Sequence, residues 1–199
     1  VTVASINPGP LSLIGAGLQK QLQLAFPPAF FEFSFMPPRL TAQEWERLVR
    51  RTPFIGLGWN DVDATRNAGT LFKGESHWTV FVVVTNQSSV GARYYGDAQG
   101  VGLFQVVQAA IAVLNGHTVP GVGTCLVTKA ANAYAEGWNK ENIAMAAIDL
   151  AVNVTMSPGA TLIGPDVTPA TFKQLGIGWE FAPNGEVVLA DVFNIGPQE

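Results

Sequence analysis

The sequence predicts an α/β fold of the α+β type: a mixed, largely antiparallel β-sheet with helices packed against it, plus a C-terminal β-hairpin extension. Three observations lead there. The run His77–Thr85, HWTVFVVVT, is apolar on both faces, as a strand in the middle of a covered sheet is. The strand-like runs Gly123–Ala130 and Asn142–Met156 follow each other with no helical pattern between them, which favours antiparallel pairing. Regular alternation of strand and helix would instead imply a parallel, doubly wound sheet. Finally, Arg93–Gly116 reads as a loop, a helix start, a long apolar helix and a stop, on which the rest of the chain packs. The expected sheet uses strands near Phe54, Val82, Val127 and Val152, with helices near Leu18 and Val107 against it.

Taken in order, Leu11–Phe26 places Leu13, Leu18, Leu22 and Leu24 in a broadly helical pattern that ends at Pro27 and Pro28, with Gly15 and Gly17 weakening its start. Phe31, Phe33 and Phe35 alternate with Glu32 and Ser34 and predict a short strand closed by Pro37 and Pro38. A capping box, Thr41 to Glu44, leads a short helix in which Trp45, Leu48 and Val49 share a face. Arg47, Arg50 and Arg51 complement its C-terminal dipole, a structural role that outweighs contact with DNA. Pro53–Trp59 predicts a buried strand. The polar, turn-rich segment between it and His77 is either a loop or an irregular edge strand. In His77–Thr85, Trp78, Val80, Val82 and Val84 lie on one side, Phe81 and Val83 on the other.

In the central stretch Gly96 and Asp97 make a turn, and Val101, Phe104, Val107, Ile111 and Leu114 recur at helical spacing. Gly116 falls where a left-handed cap belongs. The opposite side, Leu103, Val106, Ala110 and Val113, is also apolar, so the helix is expected to be covered on two sides, by its own sheet and by another subunit. In Asn142–Met156 the apolar parity changes from Ile143 and Met145 to Ile148, Leu150, Val152 and Val154, which predicts a bulge near Ala146 and Ala147. Pro158 and Gly159 close a first domain, residues 1–157. Residues 158–199 form an extension whose segment WEFAPNGEVVLADVF signals a hairpin turning at Asn184 and Gly185. No internal repeat is visible.

A chain of 199 residues can bury a core without a metal or disulfide, and its single cysteine, Cys125, can form neither an internal disulfide nor a cysteine-based zinc site. Secretion is not supported by this cysteine usage; the residues after Val1 lack a cationic, apolar signal pattern, as a processed N-terminus would too. Charged residues are 13% of the chain against roughly 25% in average soluble domains, while hydrophobic residues reach 48%. No run approaches the roughly 20 apolar residues of a spanning helix, so the expected destination of that apolar surface is an oligomer. A net charge of −4 and a pI near 5.1 argue against a protein that grips nucleic acid through its phosphates.

Candidate chemistry is sparse. Gly96, Gly100 and Gly102 open a helix, but neither the P-loop nor the dinucleotide spacing is present, and they read as close-packing positions. His77 and His117 cannot hold zinc without carboxylate help. Cys125 and His117 could make a nucleophile and base, but a cysteine in the strand-like run GVGTCLVTKA is more simply a small buried hydrophobe. Asp61 and Asp63 could take a cation, though a loop carboxylate pair is more often solvated. No catalytic residue, cofactor or metal site is therefore assigned. Trp45 and Trp78 have core roles; Trp59, Trp138 and Trp179 sit at element ends with Tyr94, Tyr95 and Tyr134. Aromatics beside arginine at such ends suit interface centres, so Arg93, Tyr94 and Tyr95, with Leu103 and Val106, are the candidate subunit interface; anchoring of their own loop is the alternative for the first three.

The order of these elements, above all A-R-Y-Y-G-D and the glycine-rich start of an apolar helix ending L-N-G within Ala92–Gly116, preceded by the strand His77–Thr85, resembles the tail terminator proteins of contractile-tailed, Mu-like phages. The resemblance covers roughly Leu11–Met156 and leaves out Ser157–Glu199. It implies an α/β subunit of a six-membered ring that caps the head-proximal end of the tail tube, ends its polymerisation and presents a surface to the neck. By that resemblance the partners are further copies of the chain, the tail tube and sheath, and neck or connector proteins. DNA passes through the ring without specific binding, no membrane or cofactor takes part, and the place is the virion tail or neck after assembly in the host cytoplasm. Two alternatives stand beside it: another neck or head-tail joining protein, and, in a different class, a small α/β enzyme using Cys125 and His117 or the Asp61 and Asp63 loop.

Overall fold

The structure, a computed structural model, describes residues 8–37, 52–68, 71–133, 142–157, 174–179 and 188–194. The helix expected after Thr41, with its arginines, and the Asn184 and Gly185 turn, Tyr134 and Trp138 lie outside these residues. The chain divides into two compact units, Pro8–Ser157 and a second formed by Val1–Asn7 with Pro158–Glu199.

The first unit begins with helix α1 (Pro10–Ala25), which starts with proline just inside its end, where the missing N–H costs nothing. Its buried residues Ile14, Leu18 and Leu22 recur every four positions and make one stripe. The glycines that weaken its helical propensity are places of close approach. A Cβ on Gly15 would stand 3.2 Å from the Trp78 ring and 3.3 Å from Phe35, and one on Gly17 would stand 3.2 Å from Val119. Strand β1 (Glu32–Met36) follows, then β2 (Phe54–Ala68) and β3 (Leu71–Thr85), helices α2 (Val90–Tyr95) and α3 (Leu103–Leu114), and strands β4 (Thr118–Val119), β5 (Gly123–Asn132) and β6 (Ile143–Met156).

One six-stranded sheet has the order β1-β2-β3-β6-β5-β4. Only β1 with β2 is parallel; every other pair is antiparallel, so the sheet is mixed and largely antiparallel, with β3 and β6 at its centre. Helices α1 and α3 cover one face, tied together by Gln21 Nε2, which donates to the Val113 carbonyl at 3.1 Å. The main core joins Ile14, Leu18 and Leu22 of α1 to Leu103, Val106 and Ala110 of α3 and to Val80, Val82, Ile148, Leu150 and Val152 of the sheet.

Of the loop and the irregular edge strand that the sequence left open, the structure has the strand: β1 partners β2 only as far as Gly58, so among the described residues the stretch beyond it lies at the sheet edge. Residues 60–68 continue β2, and β3 begins at Leu71 rather than His77, giving two 15-residue strands paired from Phe54↔Val83 to Ala68↔Leu71. Irregularities between Trp59 and Asp61 and between Ala64 and Arg66 hid this strand from a period-of-two reading. After the first of them Val62 packs against the main core, while Asn60 Nδ2 donates to Thr79 Oγ1 on the other face at 2.9 Å.

The bulge expected near Ala146 and Ala147 is absent. The β3 and β6 partners run without interruption from Phe72↔Met156 to Thr85↔Ile143, and the irregularity lies in β5, between Val127 and Lys129. The change of parity has another cause: Met145 joins Met36, Phe54 and Val83 in a second, smaller apolar cluster. In the second unit, β7 (Gln174–Trp179) and β8 (Val188–Asn194) pair antiparallel as a two-stranded sheet. Among the described residues, no helix is long and apolar enough to cross a membrane.

Candidate subunit interface

Arg93–Val106 spans α2, a tight turn and the start of α3, and local chemistry shapes each part. Ser89 caps α2 by accepting the Ala92 N–H on its Oγ at 3.0 Å. Gly96, at φ 79°, ends the helix by donating to the Ala92 carbonyl at 2.8 Å, in a backbone region that favours glycine. Asp97 and Gly100 exchange backbone hydrogen bonds of 3.0 and 3.3 Å across the turn. The Asp97 carboxylate accepts from Asn86 Nδ2 at 2.9 Å and from the Gln99 N–H at 2.8 Å. The Asn86 amide, then the Ser88 side chain and the Gln99 N–H, hold this carboxyl below its usual range. At the start of α3 the Gly102 N–H donates to Gln105 Oε1 at 3.1 Å.

The glycine spacing records this close packing. A Cβ on Gly102 would lie 2.2 Å from the Gly96 nitrogen and 2.4 Å from the Tyr95 carbonyl carbon, whereas one on Gly100 would meet nothing within 4 Å. Two of the three glycines are thus steric requirements. At the far end of α3, Gly116 has φ 81°, as a C-terminal stop should, and its N–H donates to the Cys125 carbonyl at 2.8 Å.

The candidate interface residues separate into three groups. Leu103 and Val106, expected on the face that meets another subunit, are 2% and 3% exposed and belong to the subunit's own core with Ala110 and Leu114. On the other side of the helix the set is divided: Val101 and Phe104 are exposed and Leu114 is fully buried, while Val107 and Ile111, like Val113, are partly buried. A helix apolar on nearly every side carries little information about which side faces its sheet, so the error lay within the pattern itself.

Arg93 is held from within the subunit: its Nε donates to the Asn86 carbonyl at 3.2 Å and its terminal nitrogen to Asn142 Oδ1. It fastens the α2 turn to the residue before β6. Tyr94 is half-buried, and its hydroxyl accepts from Asn132 Nδ2 on β5 at 3.3 Å. Tyr95 is 71% exposed and meets Phe104, itself 45% exposed, edge-on; Tyr94 meets the same ring at 5.4 Å. These rings make an exposed apolar pair on the α2–α3 side, and Val90 and Val101 of the same segment are exposed as well.

A second apolar surface lies toward the β1 edge. Phe35 and Trp59 are 55% and 43% exposed, and with Leu11, Gly15, Gln19 and Trp78 they line an open groove of about 470 Å³. Sequence reasoning placed Trp59 at an element end but had no signal for the groove, because Gly15, a helix-weakening residue in isolation, shapes its floor.

The residues considered for chemistry occupy other places. Cys125 is fully buried in the main core, and burial pushes its thiol up to about 11, which suppresses the thiolate that nucleophilic attack requires. His117 meets Cys125 through the backbone, the Cys125 N–H donating to the His117 carbonyl at 2.7 Å. Asp61 and Asp63 lie on β2 rather than in a loop, and His77 of β3 stands beside them, its Nε2 3.6 Å from Asp63 Oδ2. The sequence could not bring His77 to these carboxylates without the strand register.

A family model described as Bacteriophage Mu, Gp37 matches residues 11–154. No curated protein matches the chain. Among solved structures, a chain of the virion of a native gene transfer agent particle is similar at 16% identity, over 71% of this chain and 93% of that one, with a TM-score of 0.43.

Proposed function

The chain belongs to the Bacteriophage Mu Gp37 family and is a phage virion structural protein, and we propose that it forms a ring that caps the head-proximal end of the tail tube, ends tube polymerisation and joins the tail to the neck. The observation that carries this reading is the pair of apolar surfaces toward opposite edges of one sheet. Tyr95 and Phe104 form one, on the side where Tyr94 is tied to β5; Phe35 and Trp59 flank the groove at the β1 side. A closed ring needs a heterologous contact, in which one face of a subunit meets a different face of the next, and two separated apolar surfaces supply one. Contiguous exposed apolar area of more than a few hundred Å² marks association on soluble proteins.

Arg93 and Tyr94 shape and support the first surface, and Tyr95 is its most exposed member. The resemblance to tail terminators supports a six-membered ring in contact with tube, sheath and neck proteins. The net charge of −4 suits a conduit through which DNA passes without being held. The family match covers residues 11–154, within the unit Pro8–Ser157, so the ring function is proposed for that unit, and residues 158–199 lie outside the match. The raised thiol of Cys125 supports a non-catalytic role.

Electron microscopy of the protein, alone and mixed with tail tubes, tests this reading. Rings seated at one end of the tubes are expected, and a phage lacking the gene should build tails of uncontrolled length or tails that fail to join heads. A chain that stays monomeric in the presence of tubes would defeat it.

A further inference from the structure

The polar ends of β2 and β3 bring an imidazole and two carboxylates together. Asp61 is the direct cross-strand partner of His77, and Asp63 lies two residues further along the same strand, opposite Glu75. One donor atom from each of Asp61, Asp63 and His77 lies within 4.8 Å of the other two. The irregularity between Trp59 and Asp61 makes the arrangement possible, and Val62, between the carboxylates, packs against the core and fixes the strand beneath them.

We propose that Asp61, Asp63 and His77 bind a divalent transition-metal ion, with zinc the best match to the donors. The 3.6 Å contact of His77 Nε2 with Asp63 Oδ2 engages two of the three groups, but leaves the Asp61 carboxylate close to a second acid, with Glu75 across from Asp63 adding a third. A cation among them turns that repulsion into attraction. Donors about 2.1 Å from a tetrahedral zinc ion are about 3.4 Å from one another, close to the 3.6 Å already present between His77 and Asp63. Asp61 and Asp63 are exposed and need only side-chain rotation to close the remaining distance, because the strand ladder on both sides of β3 fixes the backbone, His77 pairing with Ala151 as well as Asp61. The imidazole favours zinc, nickel, copper or cobalt over calcium and magnesium, which prefer all-oxygen sites. Three protein donors leave a fourth position for water or for a group from a neighbouring molecule.

The test uses the full chain after treatment with a chelator. Titration with Co²⁺ should give the visible absorption of a low-symmetry site, saturating at one ion per chain and bleached by Zn²⁺. Calorimetry with Zn²⁺ should show that His77→Ala and Asp61→Asn each weaken binding by more than the roughly tenfold that follows loss of an outer-shell partner, while Glu75→Gln, which removes a nearby charge but no donor, weakens it by less than that. Circular dichroism of each variant establishes that the sheet is intact. Absence of the Co²⁺ bands, zinc binding that His77→Ala leaves unaltered, or Ca²⁺ bound as tightly as Zn²⁺ would each overturn the proposal.

Discussion

Tyr95 stands edge-on against Phe104, ring centroids 5.3 Å apart and planes at 84°, and both rings remain open to solvent. Such a pair packs well and is left half covered, and the proposed ring contact would cover it. Replacing Tyr95 and the exposed Val90 by serine removes apolar area without opening a cavity. The double variant should unfold within about 0.5 kcal/mol of the parent in urea, as surface changes do. Its self-association, measured by sedimentation, should weaken by more than about 1 kcal/mol per interface. Unchanged association would remove these rings from the proposed ring contact.

Arg93 behaves differently although it sits two residues away. Its side chain donates to the Asn86 carbonyl and to Asn142 Oδ1, so Arg93→Ala strips partners from two groups that hold α2 against the start of β6. A stability loss of about 1–3 kcal/mol is expected in chemical denaturation. Any assembly defect of that variant should therefore follow its folding defect, and recover in proportion when an osmolyte stabilises the fold. A variant of parental stability would show that these hydrogen bonds are dispensable.

The glycines of the turn make a sharper comparison. Gly102→Ala forces a Cβ to within 2.2 Å of the Gly96 nitrogen, where only backbone could move, and should cost roughly 1–3 kcal/mol or more. Gly100→Ala meets open space at ordinary φ and should be neutral, or stabilising by up to about 1 kcal/mol through the unfolded chain. Thermal melts of the two variants read this contrast directly, and equal shifts would contradict it.

What the sequence revealed and concealed follows from the range of each signal. The central strand was visible in Val80, Val82, Val83 and Val84 because burial on both faces leaves a continuous apolar run. The antiparallel pairing of β5 with β6 was visible from the missing crossover, and the α3 stop from Gly116. The tertiary register was not. Met145 looked like the sign of a bulge because a lone sequence does not show that Met36 and Phe54 gather behind the sheet. The far half of β2 was hidden by its own irregularities, and with it the meeting of His77 with Asp61 and Asp63. The burial of Leu103 and Val106 and the exposure of Phe104 were not legible either, because both sides of α3 are apolar.

Cys125 gives a prediction in which the sign is fixed by proton linkage. Its ordinary value is 9.0, and burial raises it to about 11 in the folded chain. Below pH 9 both states keep the proton and the group adds no pH dependence. Between 9.0 and about 11 the unfolded chain has lost a proton that the folded chain retains, so the unfolded state binds fewer protons and stability falls as pH rises. Lysines and tyrosines titrate in the same range, so the informative quantity is the difference between the parent and Cys125→Ala. The parent should lose stability more steeply across this window, whatever constant offset the smaller side chain introduces. The same burial predicts that iodoacetamide labels the thiol only as fast as the chain opens, since the reactive species is the thiolate. Mass spectrometry during alkylation, with and without urea, measures that rate, and prompt labelling of the native chain would place Cys125 outside the sealed core.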